Sequence, residues 1–306
     1  MSWSRVLGQE RAIRTLRGFL TTRRRPPTLL MAGPDGVGKK LAALEWARAL
    51  LCGRQDAEEE SCGSCPDCQA VEQSTHPDLK RVDAAYQASL REDDPGKQRT
   101  IRVETIRQLR KDMSLESWSG RWKVAILEDA HTLEIEAANA LLKILEEPPQ
   151  RTAWVLLSSR RQALPQTVLS RCFTVRFSPL SEELVRTMLG SHGLEPEAAR
   201  QAAALCDGSA SRALALAQRG SLPSGPMAPF LAADALPKEL HLARGRAELE
   251  IYALTQSLRL KLLSGDRVPG LEGPLSDLLA LSRALRTNAD PRLALTLAYF
   301  AAEATR

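Results

Sequence analysis

The sequence is poor in aromatic side chains and contains no long uncharged hydrophobic run. Aromatic residues make up only 4% of the chain, against 43% for all hydrophobic types, and many hydrophobic residues fall in Ala- and Leu-rich tracts. This composition favours a helix-dominated α/β protein over an all-β protein. No run of 18 uncharged apolar residues occurs, and the opening segment MSWSRVLGQE lacks the apolar core of a signal peptide. We therefore predict no membrane span and a cytoplasmic location.

Net charge and cysteine content bear on the binding partners and on the kind of cysteine site that the chain is expected to have. The net charge of +5 is compatible with an anionic partner, but the basic residues form no obvious stripe, so charge alone does not indicate nucleic acid. Six cysteines in a chain of 306 residues argue against a disulfide framework in a cytoplasmic protein. Four of them fall within a stretch of 17 residues. This clustering indicates a metal site.

The stretch GPDGVGKK, residues 33–40, follows the phosphate-binding pattern G-x-x-x-x-G-K-[ST] up to its last position. It lies between a predicted apolar strand, residues 28–32, and a predicted helix, Lys39–Leu51, which is the order that a P-loop requires. Amides at the start of the helix favour an anion. The candidate nucleotide-binding residues of the loop are Gly33, Gly36, Gly38 and Lys39.

Lys40 occupies the position where the pattern has a serine or threonine hydroxyl that ligates Mg²⁺. An ammonium cannot ligate the metal, and within about 4 Å of it the repulsion amounts to several kcal/mol at an effective dielectric of about 20. The loop therefore predicts that the Mg²⁺ site is lost and argues against hydrolysis. It leaves open the binding of ATP or ADP without a metal.

The segment WKVAILEDAH, residues 122–131, predicts a buried strand that ends in two acids. In P-loop ATPases such a strand ends in Asp-Glu, where the Asp orients the metal's water and the Glu polarises the attacking water. Here Glu128 precedes Asp129, so each carboxylate is displaced by one methylene. A displacement of about 1 Å can lower a rate on the order of a hundredfold. The alternative interpretation is that the two acids cap the next helix.

The clustered cysteines have the spacing C-x9-C-x2-C-x2-C and lie in a Gly-, Pro- and Asp-rich segment that can fold back on itself. Four thiolates at about 2.3 Å from a tetrahedral Zn²⁺, with no open position, form a structural site. Unrelated free thiols or an iron–sulfur cluster are the alternatives, and the tight spacing favours zinc. The predicted zinc ligands are Cys52, Cys62, Cys65 and Cys68.

The order of predicted elements gives the domain organisation. Strands alternate with helices up to Pro179, which predicts a mostly parallel sheet covered on both faces. Beyond Pro179 the apolar tracts are helical, and residues 221–226 are the best linker candidate. We predict an α/β P-loop domain over residues 1–178 that includes a zinc module at 51–70, a helical domain over 179–221, and a second helical domain over 222–306.

Four features together resemble the clamp-loader branch of the AAA+ family. They are AANALLKILEEPP at 137–149, LSSRRQALPQTVLSRC at 157–172, HPDL at 76–79, and the four-cysteine insertion after the P-loop helix. The resemblance covers roughly residues 5–220 and extends weakly into the C-terminal part. It implies an AAA+ core with a zinc module, a small helical lid domain, and an all-helical C-terminal collar domain that oligomerises.

The resemblance also implies partners and residue roles. Members of this branch belong to the loader of the bacterial replicative DNA polymerase, in which gamma- or tau-type ATPase subunits and a delta subunit place the sliding clamp on primer-template DNA. It implies that Arg171, in the Ser-Arg-Cys triplet, is an arginine finger that acts in trans on the ATP of a neighbouring subunit. Without the resemblance, Arg171 is an ordinary surface arginine. Arg212 matches the position of the family's lid arginine.

Three functions remain open at this level. The altered ends of both motifs favour a non-hydrolysing loader subunit that acts as a scaffold. The second possibility is a catalytically active gamma- or tau-type ATPase, for which metal-dependent hydrolysis by the isolated chain would be decisive. The third is an independent zinc-dependent nucleic-acid binder, which would show strongly salt-dependent DNA binding.

Overall fold

The computed structural model divides the chain into two compact units, Met1–Leu184 and Val185–Arg306. The structure describes residues 3–21, 26–54, 60–90, 98, 100–218, 227–263, 271–287 and 289–303. Each unit has its own hydrophobic core.

A parallel five-stranded sheet forms the centre of the first unit. Its strands are β1 Leu29–Ala32, β2 Leu79–Val82, β3 Lys123–Leu127, β4 Thr152–Ser158 and β5 Phe173–Arg176. Their order across the sheet is β2-β3-β4-β1-β5, and all neighbouring pairs are parallel. The strands predicted at 28–32 and within 122–131 are confirmed as β1 and β3, although β3 ends at Leu127, before the two acids.

In the part of the first unit that the structure describes, seven α-helices accompany the sheet. They are α1 Glu10–Thr21, α2 Lys39–Leu51, α3 Pro66–Glu72, α4 Ala84–Ser89, α5 Val103–Ser114, α6 Ile135–Glu146 and α7 Gln166–Leu169. The short helices α3 and α4 were not predicted, because each is too brief for a periodic apolar pattern. Side-chain caps start them instead: Cys65 accepts from the Cys68 amide, and Asp83 accepts from the Tyr86 amide.

Strand β4 shows how the sheet organises the core on its two faces. All of its residues are buried, and side chains of a strand point alternately to opposite faces. Val155 packs in a cluster with α1 and α2, whereas its neighbours Trp154 and Leu156 pack in a second cluster with α5 and α6. The sheet is therefore covered on both sides, as the continuous apolar character of its strands predicts.

The second unit is built from helices. They are most of α8 Glu182–Ser191, followed by α9 Pro196–Leu205, α10 Ala210–Gln218, α11 Ala228–Asp234, α12 Leu240–Leu263, α13 Glu272–Thr287 and α14 Pro291–Glu303. The apolar tracts beyond Pro179, predicted to be helical, do form helices in the described part of the chain. The predicted linker and the boundary at 221–222 lie outside the described residues. In the described part of the chain, no helix has the length and apolar character needed to cross a membrane.

Asp78 of the HPDL segment fixes the loop before β3. Its carboxylate is 1% exposed and accepts the backbone amides of Trp118 at 2.8 Å and Ser119 at 2.9 Å, together with the hydroxyls of Ser117 and Ser119. Burial acts to raise the pKa of Asp78, but these hydrogen bonds outweigh it and lower the pKa overall. The carboxylate is therefore ionised in the folded chain, and the loop is held in one conformation although Trp118 is 85% exposed.

We predict that Asp78→Ala lowers the free energy of unfolding of the first unit by about 1–3 kcal/mol at pH 7, because buried donors lose their acceptor. Since the folded pKa lies below the ordinary Asp value, this contribution exists above that value and disappears as the pH falls through the folded pKa. Denaturant unfolding at pH 7 and at low pH measures both effects. Asp277→Ala, at an exposed position of α13, is the control, and an equal loss of stability in the two variants would contradict the assignment.

Candidate functional site

The predicted phosphate loop connects β1 to α2, and its glycines are required by the loop conformation. Gly36 and Gly38 have φ of 75° and 98°, a region that residues with a Cβ rarely adopt. Gly33 packs against β5 so closely that a Cβ would lie 2.3 Å from the carbonyl oxygen of Phe177. The structure therefore explains all three glycines through backbone geometry, without a bound nucleotide.

Lys39 is turned back onto its own loop. Its Nζ donates to the carbonyl oxygens of Gly33 at 2.7 Å and Pro34 at 2.5 Å, and it lies 3.6 Å from a carboxylate oxygen of Asp35. The residue is 8% exposed. Burial lowers the pKa of Lys39, while Asp35 and Asp129 partly oppose this effect. The loop thus solvates the ammonium that would otherwise contact a phosphate.

Lys40 and Glu128 form a direct ion pair. The Nζ of Lys40 lies 3.0 Å from Oε1 and 3.1 Å from Oε2 of Glu128. Arg81, on β2, donates from Nε to the same Oε1 at 3.2 Å. Lys40 and Glu128 each depart from the ATPase pattern, the first at the end of the loop and the second at the start of the reversed acidic pair. The two departures are therefore in contact, and their charges offset each other.

Asp129 adopts a different arrangement from Glu128. Its φ is 47°, and its carbonyl accepts from Thr132 in the following turn. Neither acid caps the next helix: that turn has no side-chain cap, and Glu134 precedes α6 without capping it. The capping alternative is therefore wrong, because the Glu128 side chain is engaged by Lys40 and Arg81, and Asp129 lies six residues before the first residue of α6.

Two residues near this site were missed in the sequence. Arg81 belongs to no sequence motif. Only its place near the end of strand β2 could have indicated that its side chain reaches Glu128. His131 has an Nδ1 that is buried without a hydrogen-bond partner among the described residues. Burial, followed by the charge of Arg160, lowers the pKa of His131. An open cleft of about 390 Å³, lined in part by Lys40, Glu128 and Asp129, adjoins the pair.

The four predicted metal ligands come together. Cys52 directly follows α2, and Cys62 lies in the segment just before α3. Cys65 caps the start of α3, and Cys68 lies within it. Their sulfur atoms all lie within 4.8 Å of one another, with separations of 3.9 Å for Cys52–Cys65 and 3.8 Å for Cys62–Cys68. Thiolates at about 2.3 Å from a tetrahedral metal are separated by about 3.8 Å. The cluster can therefore hold a metal ion.

Backbone amides within the cysteine segment are directed at the sulfur atoms of the cluster. Backbone amides of Cys62, Cys65 and Cys68 point at sulfur atoms of the cluster. Hydrogen bonds from the backbone of Ser64 and Cys65 lower the pKa of Cys62 to about 5. Burial instead raises the pKa of Cys52 and Cys68, so the favourable environment for a thiolate is confined to part of the cluster. Thiolates are the form that binds metals. The two remaining cysteines, Cys172 and Cys206, lie outside the cluster.

Ion pairs join the cysteine segment to the rest of the first unit. Glu72, at the end of α3, contacts Arg5 at 2.8 Å and Arg48 of α2 at 2.9 Å. Asp67, near the start of α3, accepts from Arg121 at 2.5 Å. Since Cys52 follows α2 directly, the cluster and these pairs connect α3 to the helix that begins at the phosphate loop.

Arg171 lies between α7 and β5 and belongs neither to the phosphate-loop site nor to the cysteine cluster. Its Nη2 lies 2.5 Å from Oε1 of Glu146, and its Nη1 lies 3.1 Å from the carbonyl oxygen of Thr167. Its side chain is 37% exposed. In the second unit, the guanidinium of Arg212 lies 4.1 Å from the ring centroid of Tyr252 and 3.4 Å from the Cys206 carbonyl. Arg212 is thus held by contacts within its own unit.

Comparison with solved structures shows the fold. A DNA polymerase III gamma subunit-related protein from Thermotoga maritima has a TM-score of 0.57 at 17% identity, covering 96% of this chain and all of the other. A variant of RuvB from Thermotoga maritima has a TM-score of 0.51 at 16% identity, covering 97% of this chain and 90% of the other. The predicted fold, a parallel sheet with flanking helices and a C-terminal helical region, is confirmed.

Sequence relatives fall among subunits of one polymerase. The chain is 38% identical over 143 residues to DNA polymerase III subunit delta' of Pseudomonas aeruginosa, covering 47% of this chain and 40% of the relative. It is 31% identical over 192 residues to delta' of Bacillus subtilis, covering 63% and 54%. It is 33% identical over 218 residues to subunit tau of Escherichia coli, covering 69% and 32%. The chain therefore spans about a third of the tau relative and about half of the delta' relatives.

The family assignment comes from the domain that contains the altered phosphate loop and the cysteine cluster. The sequence model described as DNA polymerase III, delta subunit, matches residues 8–181, which is more than half of the chain and includes every candidate site residue discussed above for the first unit. On this match, the protein belongs to the DNA polymerase III delta-subunit family.

Proposed function

We propose that the protein is a non-hydrolysing, delta-prime-type subunit of a bacterial clamp loader. The observation that carries the proposal is the ion pair of Lys40 with Glu128. In an active P-loop ATPase, the residues at these two positions help to hold Mg²⁺. Here they neutralise each other, so a metal ion would have to displace an ammonium from its carboxylate.

Electrostatics supports the loss of the metal site. Glu128 faces two cations, Lys40 and Arg81, at 3.0 Å and 3.2 Å. A divalent cation near the same carboxylate would be repelled by both, at a cost of several kcal/mol at an effective dielectric of about 20. Lys39 is also engaged by loop carbonyls. Binding of ATP or ADP without a metal remains compatible with this arrangement.

We propose the partners of this subunit from its family. They are gamma- or tau-type ATPase subunits and a delta subunit, with the sliding clamp and primer-template DNA engaged through the assembled complex in the cytoplasm. The domains we assign are an AAA+ domain at 1–178, a lid at 179–221 and a collar domain at 222–306. The first covers the sheet and its flanking helices, and the other two lie in the helical part of the chain.

Arg171 is the residue that we assign to catalysis, in trans. It follows α7 in the Ser-Arg-Cys triplet, is partly exposed, and contacts Thr167 and Glu146. A guanidinium can span two phosphoryl oxygens with its planar fork. In the proposed loader it stabilises the charge that develops on the ATP of a neighbouring subunit.

A structural Zn²⁺ bound by Cys52, Cys62, Cys65 and Cys68 completes the proposal. The sulfur separations near 3.8 Å match a tetrahedral thiolate site. When bound, the ion supplies a cross-link and no catalytic chemistry, since four thiolates leave no open coordination position. The cross-link joins the end of α2 to α3.

The second candidate is an active gamma- or tau-type ATPase. Identity to tau, at 33% over 218 residues, is close to the identity with the delta' relatives. Identity alone therefore does not separate the two functions. The ion pair at Lys40 and the reversed order of Glu128 and Asp129 favour the non-hydrolysing subunit.

We predict that the isolated chain hydrolyses ATP in the presence of Mg²⁺ no faster than background. Lys39→Ala should leave clamp loading nearly intact in a complex reconstituted with gamma-type and delta subunits, because its ammonium contacts only its own loop. Phosphate release and clamp loading onto primed DNA measure the two effects. Substantial hydrolysis by the isolated chain would favour the gamma- or tau-type function.

Purified protein should contain about one zinc ion per chain. Cys65→Ser should lose the metal and lower the midpoint of thermal unfolding, because structural zinc contributes folding energy. Cys172→Ser is the matched control, since Cys172 lies outside the cluster, and it should retain the metal. Elemental analysis and thermal unfolding test both points, and protein purified without chelators that holds no zinc would contradict the assignment.

Arg171→Ala should lower the DNA-stimulated ATPase of the reconstituted loader only in part. An arginine finger contributes about 10³–10⁵ in rate at the site that it serves, but other subunits serve the remaining sites. Arg171→Lys should not restore the rate, because an ammonium lacks the planar fork. Subunit assembly and metal content are the controls and should not change. Wild-type turnover with Arg171→Ala would make this residue an ordinary surface arginine.

A further inference from the structure

The guanidinium of Arg171 is held by two different elements of the first unit. Its Nη2 lies 2.5 Å from Oε1 of Glu146, the last residue of α6. Its Nη1 lies 3.1 Å from the carbonyl oxygen of Thr167 in α7 and 3.5 Å from the hydroxyl of Ser170. The guanidinium is therefore fixed at both of its terminal nitrogens, although the side chain is 37% exposed.

The position of Glu146 is determined by the packing of α6. Leu145, directly before it, belongs to the same buried cluster as Val168 and Leu169 of α7. After Glu147, Pro148 prevents the helix from continuing. The carboxylate of Glu146 is therefore presented at a fixed place beside α7, next to Arg171 in the short connection between α7 and β5.

The ion pair between Glu146 and Arg171 orders the guanidinium more than it stabilises the fold. Both partners are substantially exposed, at 37% and 50%, and exposed ion pairs contribute little to folding. An unrestrained arginine has many rotamers and must be ordered before it can bind a phosphoryl group. A guanidinium that is already held in one plane loses less entropy on binding, which is the usual advantage of a supported functional side chain.

We propose that Glu146 is a positioning residue that holds Arg171 ready for a phosphoryl group of a neighbouring subunit. The inference rests on the proposed trans role of Arg171 and adds the residue that orients it. Glu146 contacts neither the nucleotide nor the reacting atoms in this account. Its whole effect passes through the guanidinium of Arg171.

Glu147 provides a matched control. It is adjacent to Glu146, carries the same carboxylate and is also exposed. Within the described part of the chain its side chain makes no hydrogen bond or ion pair. Replacing either residue by glutamine removes one negative charge from the same surface, so only the contact with Arg171 distinguishes the two variants.

The test is the DNA-stimulated ATPase of the reconstituted loader with clamp and primed DNA. The Arg171-dependent turnover is the difference between wild type and Arg171→Ala. Glu146→Gln should lower this part by about two- to fivefold, the range expected for one exposed ion pair. The KM for ATP should not change, because the arginine acts in the transition state. Glu147→Gln should match wild type, and the thermal midpoints of both glutamine variants should be unchanged.

The double variant Glu146→Gln, Arg171→Ala shows whether the effect passes through the arginine. Its turnover should equal that of Arg171→Ala alone. A further loss in the double variant, or equal turnover of Glu146→Gln and Glu147→Gln, would overturn the positioning role while leaving Arg171 in place. Wild-type turnover of Arg171→Ala would overturn both the trans role and this inference.

Discussion

The ion pair between Lys40 and Glu128 is the constraint that determines how the rest of the candidate site is interpreted. It joins the first turn of α2 to the residue directly after β3, and Arg81 adds a third connection from β2. These contacts bring together the positions that would hold a metal in a nucleotide-hydrolysing relative. The charges of Lys40 and Glu128 are thus paired within the chain, and the ammonium of Lys39 is bound by carbonyl oxygens of its own loop.

Three groups of residues in the first unit have different contacts. The glycines of the loop maintain the fold, as the tight contact of Gly33 with Phe177 shows. The cysteine cluster and the ion pairs of Glu72 connect α3 to α2. Arg171 lies elsewhere on the unit, partly exposed and held by α6 and α7. A chain that does not hydrolyse ATP itself can thus still supply a residue to a neighbour in the function that we propose.

The sequence predicted elements whose signal is local. Short apolar runs predicted strands β1 and β3, and the tight spacing of the cysteines predicted that four sulfur atoms share one site. It also identified Lys40 and the reversed acidic pair as separate anomalies. Their direct contact could not be predicted, because β4 lies between β1 and β3 in the sheet and only the folded loop brings Lys40 to Glu128. Arg81 and Glu146 escaped notice for the same reason, since their roles depend on partners 47 and 25 residues away.

The most direct test of the central claim is calorimetric titration of the chain with ATP, with and without Mg²⁺, for wild type and Lys40→Thr. The ammonium of Lys40 occupies the place of a metal ligand in our account, so Mg²⁺ should not strengthen ATP binding by the wild type. Lys40→Thr supplies the missing hydroxyl and removes the competing charge, so its ATP affinity should become Mg²⁺-dependent. Wild-type protein whose ATP affinity rises about tenfold or more with Mg²⁺, a change of about 1.4 kcal/mol, would contradict the account.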